Sequence, residues 1–177
     1  MAIPLYDLTV GSYLQTLAGV SGFLERGVAH CRDNNLDPEE IVETRLWNDM
    51  LPFRFQLISV AHHSRGAIEG VKKGAFAPPS EARPLNYAQL QELVADARAD
   101  LQKLTPDEVN ALEGGEVVFQ IRDFKMLFTA ENFLMSFSMP NFYFHATTAY
   151  DILRSKGVPL GKRDFMGQMR MKAPAAA

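Results

Sequence analysis

The stretch "SMPNFYFHATTAYDILRSKGVPLGKRDF", Ser138 to Phe165, decides how the chain folds. Phe142, Ala149 and Ile152 recur at helical spacing, and Asn141, His145 and Thr148 share their face. This reads as a largely buried helix carrying one imidazole among aromatic side chains. The pattern begins near Ala130 and has Pro140 inside it, which predicts a break or kink, with Ser138 placed to cap the restart. Gly157 is the expected C-terminal cap. Beyond it, "GVPLGKRDF" reads as an extended segment returning over the protein on Val158, Leu160 and Phe165.

Upstream, three more long helical patterns precede this one. The first runs from about Leu5 to Asn34, with Val10, Leu14, Leu17, Leu24 and Val28 in one stripe and Ser21 filling its gap. "DNNLDP" stops it, and "PEEIVETRL" follows Asp37 as a short capped helix. The second long pattern spans about Leu46 to Lys73. Leu46, Met50, Phe53, Leu57 and Val60 make one stripe, and Leu51, Phe55 and Ile58 add a second apolar face. "GAFAPPSEARPLN" is a proline-rich link. The third pattern places Tyr87, Leu90, Val94, Ala97, Leu101 and Leu104 at three-four spacing, and "TPDEVNALEGG" closes it. Residues 116–129 then alternate, which predicts a two-stranded hairpin packed on the helices. The fold expected is mainly all-α, a four-helix bundle with a small β-hairpin between helices 3 and 4. It forms one domain over residues 1–177, with a partly disordered tail from about 166.

Composition narrows the function classes. Apolar residues make up 47% and charged residues 22%, ordinary for a globular protein. The net charge of -3 gives no footprint for nucleic acid. The basic excess of residues 152–177 reads as a tail lying back on an acidic body. Cys31 is the only cysteine, so no internal disulfide or cysteine-based zinc site forms. The N-terminal residues have no signal-peptide pattern, and no run is long and apolar enough for a membrane helix. These features predict a cytoplasmic protein with neither a nucleic-acid nor a membrane partner.

Three segments carry a resemblance: "LYDLTV" opening the first helix, "RLWNDMLPFRFQ" opening the second, and "MPNFYFHATTAYDILRSKGVPLGKRDF" near the end. Together they resemble the bacterial DUF1993 family of the DinB/YfiT-like superfamily. That resemblance implies an up-down-down-up bundle with one long crossover, which suits the proline-rich link. It also implies a metal-centred pocket held by one histidine of the second helix and two of the last, four residues apart. Here four residues after His145 is Ala149 and four before is Asn141. The three-histidine motif is absent, and no cofactor is carried over.

The candidate pocket is therefore Asp49, Gln56, Asn141 and His145. Asp49, Gln56 and His63 fall at seven-residue intervals on the second helix, and Asp49 is the first choice to meet His145, Gln56 the second. One reading is a hydrogen-bonded imidazole that fixes helix register. Another is a pocket for a small molecule, since histidine titrates near neutral pH. A third is a divalent-metal enzyme with an atypical Asp/His set. His62 and His63 are neighbours about 100° apart and cannot aim at one metal from one face. The surplus apolar face of the second helix predicts a homodimer, the basis of a further reading as a non-catalytic interaction protein.

Overall fold

The protein is described by a computed structural model covering residues 3–79 and 84–172. A short turn of helix, α1 (Leu5–Leu8), leads into α2 (Val10–Asp33). The buried residues of α2 include Tyr13, Leu17, Val20, Leu24, Gly27 and Cys31, while Leu14, Ser21 and Val28 flank that stripe half-buried. After α3 (Glu39–Val42) comes the second long segment, which begins later than its apolar pattern predicts. Pro52 has no N–H for a helix interior, and it stands in extended backbone as the N-cap of α4 (Phe53–Ala61). Leu46 is therefore outside the helix and partly exposed. A π-helical turn, His62–Gly66, joins α4 to α5 (Ala67–Lys73).

The link to the third segment contains a two-residue strand, β1 (Ala75–Phe76); the part of it at residues 80–83 lies outside the described residues. Asn86 and Gln89 form a capping box that starts α6 (Tyr87–Gln102), and Thr105 with Glu108 does the same for α7 (Pro106–Asn110). The hairpin is β2 (Glu116–Ile121) and β3 (Phe124–Thr129), in antiparallel register from Glu116↔Thr129 to Ile121↔Phe124. Here the two-strand reading needs correction. β1 adds in parallel, with Ala75↔Val118 and Phe76↔Phe119, giving a three-stranded sheet of order β1-β2-β3.

The fourth segment is α8 (Ala130–Asn132), a π-helical turn Phe133–Ser138, and α9 (Met139–Ser155). Ser138 does not cap a restart. Its backbone is helical and its hydroxyl crosses to the second segment instead. Pro140 falls in the first turn of α9, where its missing N–H costs least. The extended return holds a short helix, α10 (Lys162–Met166), seated on α2. Val158 and Leu160 are buried there. The tail is tied down by Arg26 to Asp164 at 2.5 Å and by Arg170 Nη1 to Asp7 O at 3.0 Å. Residues 173–177 lie outside the described residues.

Side-chain contacts fix the directions of the four segments. Gln56 meets His145 and His63 meets Ser138, so α4 and α9 are antiparallel. Phe53 stacks on Tyr87 and Arg65 pairs with Asp100, so α4 and α6 are parallel. Tyr13 packs on Phe142 and Phe23 on Tyr150, so α2 and α9 are parallel. The bundle is therefore up-down-down-up, with α4 and α2 each packed against both α6 and α9. Of the second apolar face, Phe55 and Ile58 are buried within this single chain and Leu51 is half-buried. Among the described residues, no helix is long and apolar enough to cross a membrane.

Candidate functional site

Antiparallel packing brings the Gln56–Ser59–His63 face of the second segment against Ser138 and His145 of the fourth. Gln56 is 2% exposed, and its amide is fixed at both ends. Nε2 donates to Leu51 O at 2.6 Å, which turns Oε1 toward His145 Nδ1 at 2.8 Å. An amide oxygen only accepts, so His145 is assigned the Nδ1–H tautomer. Ser138 Oγ donates its proton to His63 O at 2.9 Å. The longer contact, 3.4 Å from His63 Nδ1 to the same hydroxyl, then has Nδ1 as donor. Both imidazoles thus keep a lone pair on Nε2. The rings lie nearly parallel with centroids 6.0 Å apart.

Burial decides the charge of this pair. It pushes His63 down to about 3, helped by the neighbouring His62 and His145, and it pushes His145 down to about 4. Both are neutral near pH 7. Burial also raises the Tyr13 phenol far above its ordinary value. Its hydroxyl approaches Ser138 without a hydrogen bond of good geometry, and Ser59 Oγ is likewise buried without a partner.

Of the residues singled out from sequence, the structure brings Gln56 and His145 together. Asp49 does not meet them. It is exposed in the segment before Pro52, because the helix that would have placed it one heptad before Gln56 has not yet begun. Asn141 is half-buried and donates from Nδ2 to Phe137 O at 2.7 Å. His63, outside the pocket expected from sequence, joins Gln56 and His145, and its seven-residue offset from Gln56 is the sequence signal for it. The two adjacent histidines serve different compartments. His63 is buried against His145, whereas His62 donates from Nε2 to Ala77 O at 2.7 Å and packs its ring on Phe76 at 4.4 Å.

The donor set does not fit the divalent metal that the superfamily resemblance implies. It offers two neutral imidazoles, and four residues either side of His145 stand Ala149, which has no donor atom, and Asn141, whose Nδ2 is held by Phe137 O and whose neutral amide Oδ1 is a poor transition-metal ligand. Neither a thiolate nor a carboxylate joins them. Among the described residues no group of three His, Cys, Asp or Glu side chains is placed to hold an ion.

On the other side of His63, the π-helical turn opens a cleft of about 370 Å³ lined by Ile58, Ala61, His62, Arg65, Gly66, Glu69, Pro78, Pro79 and Leu93. His145 does not line it. Burial lowers His62 below its ordinary value, and donation from its Nε2 leaves Nδ1 with a lone pair. Gly66 makes room for that ring: a Cβ there would lie 3.3 Å from Nδ1. Arg65 is held by Asp100 Oδ2 at 3.1 Å and lies 3.8 Å from Glu69. Lys103 sits 2.7 Å from Asp100, so the polar side of the cleft is close to charge balance.

Comparison with known proteins adds two findings. The profile of a domain family of unknown function, DUF1993, matches residues 5–166. The crystal structure of a DinB family member protein from Shewanella denitrificans aligns at a TM-score of 0.81, with 25% identity, over 96% of this chain and 96% of that one. No curated protein matches the sequence.

Proposed function

Because the chain belongs to the DUF1993 family and shares its fold with a DinB family member, we propose that it is a non-catalytic binding protein for a small organic molecule, taken up without a resident divalent metal. The observation that carries the reading is the cleft at the π-helical turn. A single extra residue per turn is the usual origin of such a turn, and these turns recur at functional sites. Ile58, Ala61, Leu93 and the two prolines offer an apolar wall, while His62, Arg65 and Glu69 converge on one side. That is the character of a small-molecule site. Near charge balance favours a ligand of no net charge, bearing an apolar body and a group that donates to His62 Nδ1 or accepts from Arg65.

The neutral His63–His145 pair supports the same reading from behind. Its hydrogen bonds, Gln56 to His145 and His63 to Ser138, tie the second segment to the fourth through neutral groups. A fragment screen by two-dimensional NMR on labelled protein tests the proposal. Shifts clustered on Ile58, His62, Arg65 and Leu93, lost in Arg65→Ala and kept in His145→Gln, are the expected result. Shifts clustered on Gln56 and His145 would overturn it. So would one divalent ion per chain retained at His63 and His145 in protein purified without an affinity tag.

A further inference from the structure

β3 is an edge strand, and its hydrogen-bonding phase can be read from its neighbour. Val118 N donates to Gly74 O at 3.0 Å, so Val118 turns its backbone toward β1 and away from β3. Its partner Leu127 therefore turns its own N–H and C=O away from β2, toward the free edge. Lys125 does the same, and so does the N–H of Thr129 before the chain turns into α8, which Thr129 caps. The side chains there are unusually apolar for an edge: Leu127 is 67% exposed and Phe124 59%. Proteins ordinarily blunt such an edge, and here Lys125 is the one charge on the strand.

We propose that this edge pairs with the same edge of a second copy of the chain, β3 against β3 in antiparallel fashion, about a two-fold axis at Leu127. Three features make a second copy the occupant. Lys125 and Thr129 lie two residues either side of Leu127, so a two-fold there pairs the outward N–H and C=O of Leu127 with its own copy and sets the outward C=O of Lys125 against the N–H of the partner's Thr129. Leu127 then stands opposite the partner's Leu127, and two exposed leucines become a cross-strand pair. Charge is complementary as well. The partner's Lys125 falls opposite Thr129, and Thr129 is itself paired with Glu116 on β2. A lysine and a glutamate flanking one strand are about 10 Å apart at Cα, within reach of the two side chains. Glu116 and Thr129 also line a cleft of about 390 Å³ with Leu127 and Asn132, which gives that lysine a place to enter. The symmetry makes two such Lys125–Glu116 pairs.

Light scattering on the full chain at micromolar concentration tests this. The expected mass is twice the 19.8 kDa of one chain. Leu127→Lys sets like charges against each other on the axis and should give the single-chain mass, with unchanged circular dichroism. Lys125→Glu should weaken the dimer about tenfold by facing Glu116, and Lys125→Glu with Glu116→Lys should restore it. The last pair of variants keeps the test decisive if Leu127→Lys fails to fold. Wild-type protein at the single-chain mass overturns the proposal. So does a dimer that Lys125→Glu leaves at full affinity, which would place the interface elsewhere, and so does capture of an extended peptide on the edge of a chain that stays single.

Discussion

Lowering the pH should unfold this protein through His63 and His145 before its carboxylates titrate. In the unfolded chain each imidazole takes a proton near pH 6.5; folded, burial holds His63 to about 3 and His145 to about 4. The folded pKa is the lower one, so the unfolded state binds more protons throughout that interval. Stability is full above pH 6.5 and falls as the pH drops toward 4. At about pH 5 the unfolded state gains about 2 kcal/mol from each histidine, a figure that depends only on the folded values lying well below 5. The two together remove about 4 kcal/mol, a large share of the 5–15 typical of a folded domain. Carboxylates add little over this interval, because their unfolded values lie near 4. Urea titrations at about pH 7 and about pH 5 measure the loss, and His145→Gln, which keeps a polar group but cannot titrate, should reduce it by about half. Equal losses in wild type and His145→Gln would refute the reasoning, as would a wild-type loss below about 1 kcal/mol.

Ser138→Ala removes the donor to His63 O and the acceptor of His63 Nδ1 together, and should cost about 1–3 kcal/mol in the same urea assay. Gly27→Ala places a Cβ against the Tyr87 hydroxyl, which donates to Leu24 O at 3.0 Å, and 3.3 Å from Leu153 Cδ2. An overpacking loss of about 1–3 kcal/mol is expected, and an unchanged melting temperature would count against so close an approach of α2 and α6. Gly19→Ala meets the backbone of Phe165 and Asp164 rather than a side chain that can turn away. It should lift α10 and speed tryptic cleavage at Lys162 and Arg163, measured by mass spectrometry.

Much of the architecture is legible because it rests on periodicity. The third helix shows at Tyr87, Leu90, Val94, Ala97 and Leu101, all of them buried. The hairpin shows because Val117 and Phe119 alternate toward the core while Glu116 and Gln120 face water. What escapes is whatever periodicity does not encode. The stripe through Leu46 and Met50 continues past Pro52, but a stripe says nothing about the missing N–H that delays the helix, and Asp49 is lost to the site with it. The π-helical turns at His62–Gly66 and Phe133–Ser138 have no signal in residue type. They are settled by the packing of α4–α5 against α9, and they explain why His63 and Ser138, unpromising in the sequence, face each other. β1 escapes because two residues in a proline-rich link carry no period, and only the presence of β2 beside them makes them a strand.

That small strand gives the chain an order in time. β2 and β3 are joined by a two-residue turn at Arg122 and Asp123, so they can close within microseconds of meeting. Ala75 reaches Val118 only after everything between them, the whole of α6 and α7, has been laid down, and closing so long a loop carries an entropic penalty that local pairs escape. The parallel bridge should thus form late in folding and be lost early in unfolding, which hydrogen exchange at Val118 N, bonded to Gly74 O, would report. The same bridge anchors the first residues of the link after α5, beside Ala77, whose carbonyl receives His62. Pro78 and Pro79, which wall the cleft at the π-helical turn just beyond Ala77, should therefore be the last of its lining to take shape.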